Sequence, residues 1–286
     1  MSNHLYEKGS ILLEAVEELK KTLGEKINSL TVERVVIGLF YTGIKLSNGD
    51  GGICFTPVKA IPEAVCCPSS ARAMPASGKL KGKSAAFFLD EMFSNKPLKK
   101  ALGIAVLNAL SSTCWRLTPP HNYLIELGLD PLDKVIIPDE ANVVVVGALA
   151  PYIKMLKQRS KPFSILELYP KTLKPDEMAF YTPPEKAPEQ ISRADLLIVT
   201  GTTLINDTLE NILSYTKPET ETIVVGPTAS MLPNSFFRRG VKIIGGIIVT
   251  DPDGLLDVLV EAGSGYHFYS KSADRVVISK SSSPMI

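Results

Sequence analysis

Along the first two dozen residues the apolar positions recur with a helical period. Ile11, Leu12, Ala15, Val16, Leu19 and Leu23 fall on one face and Glu and Lys on the other. Ser10 stands where an N-cap belongs, so an amphipathic helix is expected over residues 10–23. The pattern then changes to β-rich runs at 32–39, 41–46 and 52–56. The loop SNGDG (47–51) between the last two supplies residues that accept positive φ, as a hairpin requires, and the three runs read as an antiparallel meander. An irregular stretch rich in Pro, Ser and Gly (57–82) precedes two further helical patterns, 84–93 and 98–112, the second with Pro97 in its first turn.

After Thr118-Pro119-Pro120 the grammar changes. Short β-branched runs at 143–146, 164–168, 196–200, 222–225 and 241–244 alternate with helical segments. Continuous Val/Ile/Leu runs of this length suit strands covered on both faces and joined by right-handed crossovers. The expected fold class is α/β: a Rossmann-like doubly wound parallel sheet in a domain over 116–286, preceded by a smaller α+β domain over 1–115. Residues 279–284 are expected to fray.

Composition changes this picture little. Over 286 residues, 31 Lys plus Arg stand against 30 Asp plus Glu, so no global field points to nucleic acid or an acidic membrane surface. No run of about 18 apolar residues occurs, and MSNHLYEKGS lacks the basic-then-apolar pattern of a signal peptide; a cytoplasmic protein is expected. The basic stretch Lys79–Lys83 reads as a solvated loop. Cys54, Cys66, Cys67 and Cys114 show no CxxC spacing and are expected as reduced thiols. His4, His121 and His267 lie far apart, so no metal site is preset and none is assigned. No cofactor follows from any motif.

In a parallel α/β sheet, ligands bind beyond the carboxyl ends of the strands, where helix N-termini offer unpaired amides. The residues after each run are therefore the informative ones: Gly147, Glu167, Gly201-Thr202-Thr203 with Asn206, Gly226-Pro227-Thr228 with Ser230, and Gly245-Gly246. Glycine follows four of the five runs. Glu167 lies 20 residues after Gly147, where a ribose-binding acid would stand, but Leu149 occupies the second glycine position of a dinucleotide fingerprint. Glu167 is either an acid/base or a brace for neighbouring loop amides. No GxxxxGK[ST] or GxSxG occurs, and Ser230 has no identifiable His partner.

Two readings compete at Gly201. Its glycine, Thr202 and Thr203 could hold a carboxylate or phosphate with help from Asn206. Alternatively Asn206 or Asp207 caps the following helix, Asp207 and Glu210 having capping-box spacing. A second glycine-plus-hydroxyl turn at 226–230, facing the same crevice, favours the ligand reading. In the first domain Asn108, on the margin of an apolar helix face, and Thr42 are further candidates; an interhelical hydrogen bond and ordinary strand chemistry are their alternatives.

The segments VVIGLFYTGIKL, AVLNALS, VVVVGALAPYI, ILELYP, DLLIVTGTTLIND and VVGPTASMLP resemble those of the heavy-metal chelation family, nearly end to end. The resemblance implies an enolase-N-terminal-like domain followed by a Rossmann-like one, a homodimer, and a site in the cleft between the domains. That cleft would be lined by Thr42, Asn108, Glu167, Thr202, Thr203, Asn206, Thr228 and Ser230. It implies a role in metal-linked small-molecule metabolism, of the corrinoid kind. Few Cys and His argue that chelation runs through a small organic chelator. The function expected is thus the handling of a small anionic metabolite, with Glu167 as acid/base if a reaction occurs. The alternatives are a non-catalytic metal or metallo-cofactor carrier, and a nucleotide- or S-adenosylmethionine-dependent transferase.

Overall fold

The computed structural model describes residues 10–61, 74 and 76–281. Helix α1 (Ile11–Leu23) starts where the Ser10 hydroxyl accepts the Leu13 amide at 3.1 Å, and it ends at Gly24. After a short turn of helix, α2 (Lys26–Ser29), strands β1 (Val32–Ile37), β2 (Tyr41–Leu46) and β3 (Gly51–Phe55) form an antiparallel meander in the order β1-β2-β3. Gly49, at φ 87°, closes the hairpin that loop 47–51 predicts.

Helices α3 (Ala85–Glu91) and α4 (Pro97–Leu117) follow. Helix α4 runs five residues past the predicted end because Thr113, Cys114 and Trp115 are buried and keep it packed. Next come β4 (Tyr123–Leu127), β5 (Val143–Val146), α5 (Ala150–Gln158), β6 (Phe163–Leu166), β7 (Tyr181–Thr182), α6 (Ala187–Ser192) and β8 (Leu196–Thr200). The chain closes with α7 (Leu209–Leu213), β9 (Glu221–Val225), α8 (Asn234–Phe237), β10 (Ile243–Val249), α9 (Pro252–Val260), α10 (Gly265–Phe268) and β11 (Ala273–Lys280).

The large sheet has the order β4-β11-β10-β9-β8-β5-β6-β7. Strands β5 to β10 are parallel; β11 runs antiparallel to β10, and β4 antiparallel to β11. From β5 the chain winds to β6 and β7 on one side, then to β8, β9 and β10 on the other. This is the doubly wound arrangement, with its topological switch point between β5 and β8.

Several expectations need correction. Strands β4, β7 and β11 are absent from the sequence pattern. Ser279 and Lys280, read as a fraying tail, pair with Leu124 and Tyr123 at the sheet edge; residues 282–284 lie outside the described residues. Strand β10 begins and ends later than predicted, so Gly245 and Gly246 lie inside it. There a Cβ would come within 2.2 Å of Pro131 Cγ and 2.8 Å of Ser230 Oγ, respectively. The glycines serve packing, and glycine follows three of the five predicted strands. Cys66, Cys67 and His4 also lie outside the described residues.

The small sheet is clamped between α4 and α9. A Cβ on Gly52 would meet the Ala105 carbonyl at 2.2 Å, and one on Gly43 would meet the Leu256 and Leu259 side chains at 2.7 Å. The same α4, with α1, covers one face of the large sheet in a core that includes Ile104, Leu107, Val144, Leu197, Val224 and Val276. Helix α5 and residues around Leu129 to Ile137 cover the other face. Each buried Leu, Ile or Val contributes about 1.5–3 kcal/mol, so this shared core ties both parts of the chain firmly together. Among the described residues, no helix is long and apolar enough to cross a membrane.

Candidate functional site

The switch point is where two turns come unusually close. Gly147 leaves β5 at φ 99°, and a Cβ there would lie 2.7 Å from Thr200 Cγ2. Only glycine permits both the angle and the approach. Strand β8 passes from Thr200 into a 3-10 turn, Gly201–Leu204. The Thr200 hydroxyl accepts the Thr202 amide at 3.4 Å and lies 3.1 Å from the Thr202 hydroxyl. Gly147, Thr200 and Thr202 are half-buried, and among the described residues the Thr200 and Thr202 hydroxyls bond only to each other and to the Thr202 amide. Gly201 is buried, its Cβ position 3.2 Å from Ala229, and Thr203 is buried with its hydroxyl donating to the Thr200 carbonyl at 2.7 Å. Beside them α5 starts without a side-chain cap, and Ala148 and Ala150 are exposed.

The turn after β9 has a different fate. Gly226, at φ 121°, leads into the 3-10 turn Pro227–Ala229. The Thr228 hydroxyl accepts the Phe55 amide at 3.0 Å. Ser230 donates to the Pro227 carbonyl at 2.9 Å and accepts the Ile247 amide at 2.8 Å. Asn108 reaches across from α4, its Nδ2 within 2.8 Å of the Ile53 carbonyl and 3.2 Å of both the Pro227 and Thr228 carbonyls. Its Oδ1 has no hydrogen-bond partner among the described residues. Thr42 exchanges a hydroxyl contact with Thr56 at 3.0 Å. Thr42, Asn108, Thr228 and Ser230 are between 0% and 3% exposed. The structure therefore brings Asn108, Pro227, Thr228 and Ser230 together in a sealed seam between the two sheets, with Thr42 behind it. Burial also pushes the Cys54 thiol in this seam well above its usual range, opposed only in part by the Thr228 hydroxyl and the Lys100 charge.

Glu167 stands half-buried just after β6, the neighbour of β5, and its Oε1 accepts the Tyr169 amide at 2.8 Å. That is the bracing bond anticipated as its alternative role. Lys59 Nζ lies 4.8 Å from the centre of the Tyr169 ring. Asn206 is exposed and closes a local turn, its Oδ1 accepting the Thr208 amide at 3.3 Å and hydroxyl at 2.7 Å, while α7 starts after Thr208 without a side-chain cap. Asp207 does not cap. It adopts φ 58° and pairs with Lys100, while Glu210 accepts the Ile11 amide at 2.8 Å in place of a capping box.

Sequence reasoning missed Thr200 and Lys100. The signal for Lys100 was its place eight residues before Asn108 and eleven before Ser111, one stripe on an otherwise apolar helix. Ser111 continues that stripe, its hydroxyl accepting the Leu232 amide at 3.1 Å. As for metal, Cys54 and Cys114 are free and buried, and no group of three or more His, Cys, Asp or Glu among the described residues could hold an ion. These residues do not fit a heavy metal ligated by the protein alone.

Two family models, both described as putative heavy-metal chelation, match residues 130–278 and 20–111. An uncharacterized protein of Methanocaldococcus jannaschii is 30% identical over 176 residues, which make up 61% of this chain and 64% of that protein. The match thus spans less than two thirds of that relative's length. Among solved structures, a protein with unknown function from Pyrococcus horikoshii aligns with a TM-score of 0.73 at 18% identity, covering 93% of this chain and 99% of the other. One from Desulfitobacterium hafniense aligns with a TM-score of 0.65 at 17% identity, covering 94% and 99%. At these identities the likeness speaks for the fold alone.

Proposed function

The chain belongs to the family described as putative heavy-metal chelation, and from that premise we propose that it seats a small anionic, metal-chelating metabolite at the carboxyl ends of β5 and β8. The observation that carries this reading is the approach of Gly147 to Thr200, which leaves the half-exposed Thr200 and Thr202 hydroxyls beside the uncapped start of α5. Hydroxyls, a glycine turn and a helix start all favour negative charge. A carboxylate- or phosphate-bearing chelator fits that chemistry and carries its own metal donors, which the described side chains lack. Metallo-cofactor metabolism of the corrinoid kind is the context in which such a ligand would occur. If the ligand is transformed, Glu167 is the acid/base, one strand from Gly147; Glu167→Gln then abolishes turnover and spares binding.

Native mass spectrometry of gently purified protein, followed by denaturing extraction, tests the reading. The expected result is an organic anion, with metal present only when the anion is. Stoichiometric metal in protein stripped of small molecules would contradict it.

One observation supports a second reading. Glu167 directly follows the strand beside β5, where dinucleotide folds bind ribose. A nucleotide or S-adenosylmethionine would then occupy the switch point, although Leu149 stands where the second glycine of the dinucleotide fingerprint would be. A thermal-shift panel of nucleotides separates the two: stabilisation by a nucleoside, and none by carboxylate chelators, favours the second.

A further inference from the structure

Lys100 is out of place for a structural lysine. It projects from α4 toward the turn after β8, its side chain is 11% exposed, and its partner among the described residues is Asp207. A buried ammonium needs an anion beside it, and the anion it has is a peculiar one. The Asp207 side chain is 64% exposed, on a residue held at φ 58°, a conformation that side-chain-bearing residues populate sparsely. Such a carboxylate regains water at little cost when it swings away. The other members of the α4 stripe, Asn108 and Ser111, are locked to backbone groups of the β9 turn and the segment after it. Lys100 alone in that stripe holds a partner that can be exchanged.

We propose that Lys100 is the cation that binds the anionic group of the ligand, with Asp207 occupying its place until the ligand arrives. The inference rests on the anion-seat reading of the β5 and β8 ends. In the exchange no covalent bond forms or breaks: the ligand carboxylate or phosphate takes the ammonium, and the Asp207 carboxylate is released to water. Asp207 lies three residues past the Gly201–Leu204 turn, which its own bonds, Thr203 hydroxyl to Thr200 carbonyl and Thr208 amide to Thr203 carbonyl, hold in place when Asp207 is released.

Calorimetric titration of the intact protein with citrate and with inorganic phosphate tests this. Asp207→Asn, which removes the competing charge, should tighten binding about tenfold, the scale of one charge-assisted hydrogen bond. Lys100→Gln should weaken it by at least as much in both backgrounds, and Lys100→Arg should retain it. If Lys100→Gln does not fold, Asp207→Asn and Lys100→Arg decide the matter. Unchanged affinity in Asp207→Asn, with weakened affinity in Thr202→Val, overturns the role of Lys100 and leaves the anion seat standing. Unchanged affinity in Thr202→Val, or no binding of either probe by the natural sequence, overturns the anion seat and the inference together.

Discussion

The turns after β8 and β9 are written in the same residues, a glycine followed by a 3-10 turn with hydroxyl side chains, and they lie side by side in the sheet. Their surroundings separate them. The β9 turn is met by β3 and α4, so the Thr228, Ser230 and Asn108 side chains bond to carbonyls and amides of the fold and are sealed from water. The β8 turn faces Gly147 of β5, which brings no side chain, and among the described residues its Thr200 and Thr202 hydroxyls bond only to each other and the turn's own amide. What an open strand end becomes is decided less by its own residues than by what docks on it. The two turns are a fixed joint and an open seat.

The sharpest way to break this contrast is to damage the joint. Asn108→Ala removes the two N–H donors shared among three buried carbonyls and leaves a cavity, so the urea midpoint should fall by an amount equivalent to about 2–4 kcal/mol. A loss near zero would mean that the β9 turn is not held by α4. Gly147→Ala comes next, because the added methyl meets Thr200 at 2.7 Å and the φ of 99° suits only glycine. About 1–3 kcal/mol of stability should be lost, together with anion binding. Smallest in stability, and most telling, is Thr202→Val. Its midpoint should stay within about 0.5 kcal/mol of the parent while affinity for citrate drops about tenfold. An equal stability loss in Thr202→Val and Asn108→Ala would erase the distinction between seat and joint.

The sequence was legible where a local rule was strong. Ser10 and the apolar face behind it announced α1, Gly49 announced the β2–β3 hairpin, and continuous Val and Ile runs announced β5, β8 and β9. It failed where pairing was supplied from afar. Strand β4 is an edge strand whose Leu124 and Leu127 stay exposed, and β11 is fixed by β10 and β4, about 30 and 150 residues away in sequence; its apolar run, Val276–Ile278, is buried on both faces of the sheet but is short and lies between Arg275 and Ser279. Strand β7, with two residues, is below any periodic signal. At the site, the glycines and hydroxyls after each strand were found because the fold class fixes where ligands bind. Whether Thr228 and Ser230 face solvent depended on α4 docking across them, which no local pattern encodes. Lys100 and its pairing with Asp207 were missed for the same reason, the partnership spanning 107 residues. Asp207 was read as a helix cap because its spacing to Glu210 was right; the structure turns Glu210 toward Ile11 instead.

The central claim, that the ligand seat is the open β5–β8 junction and not the β9 turn, is tested most directly by a crystal structure of the gently purified protein grown in citrate. The account predicts an anion in contact with Gly147 and Thr202, with the Phe55–Thr228 and Ile247–Ser230 bonds intact. An anion lodged among Asn108, Thr228 and Ser230 with those bonds broken, or a metal held directly by protein side chains, would contradict it.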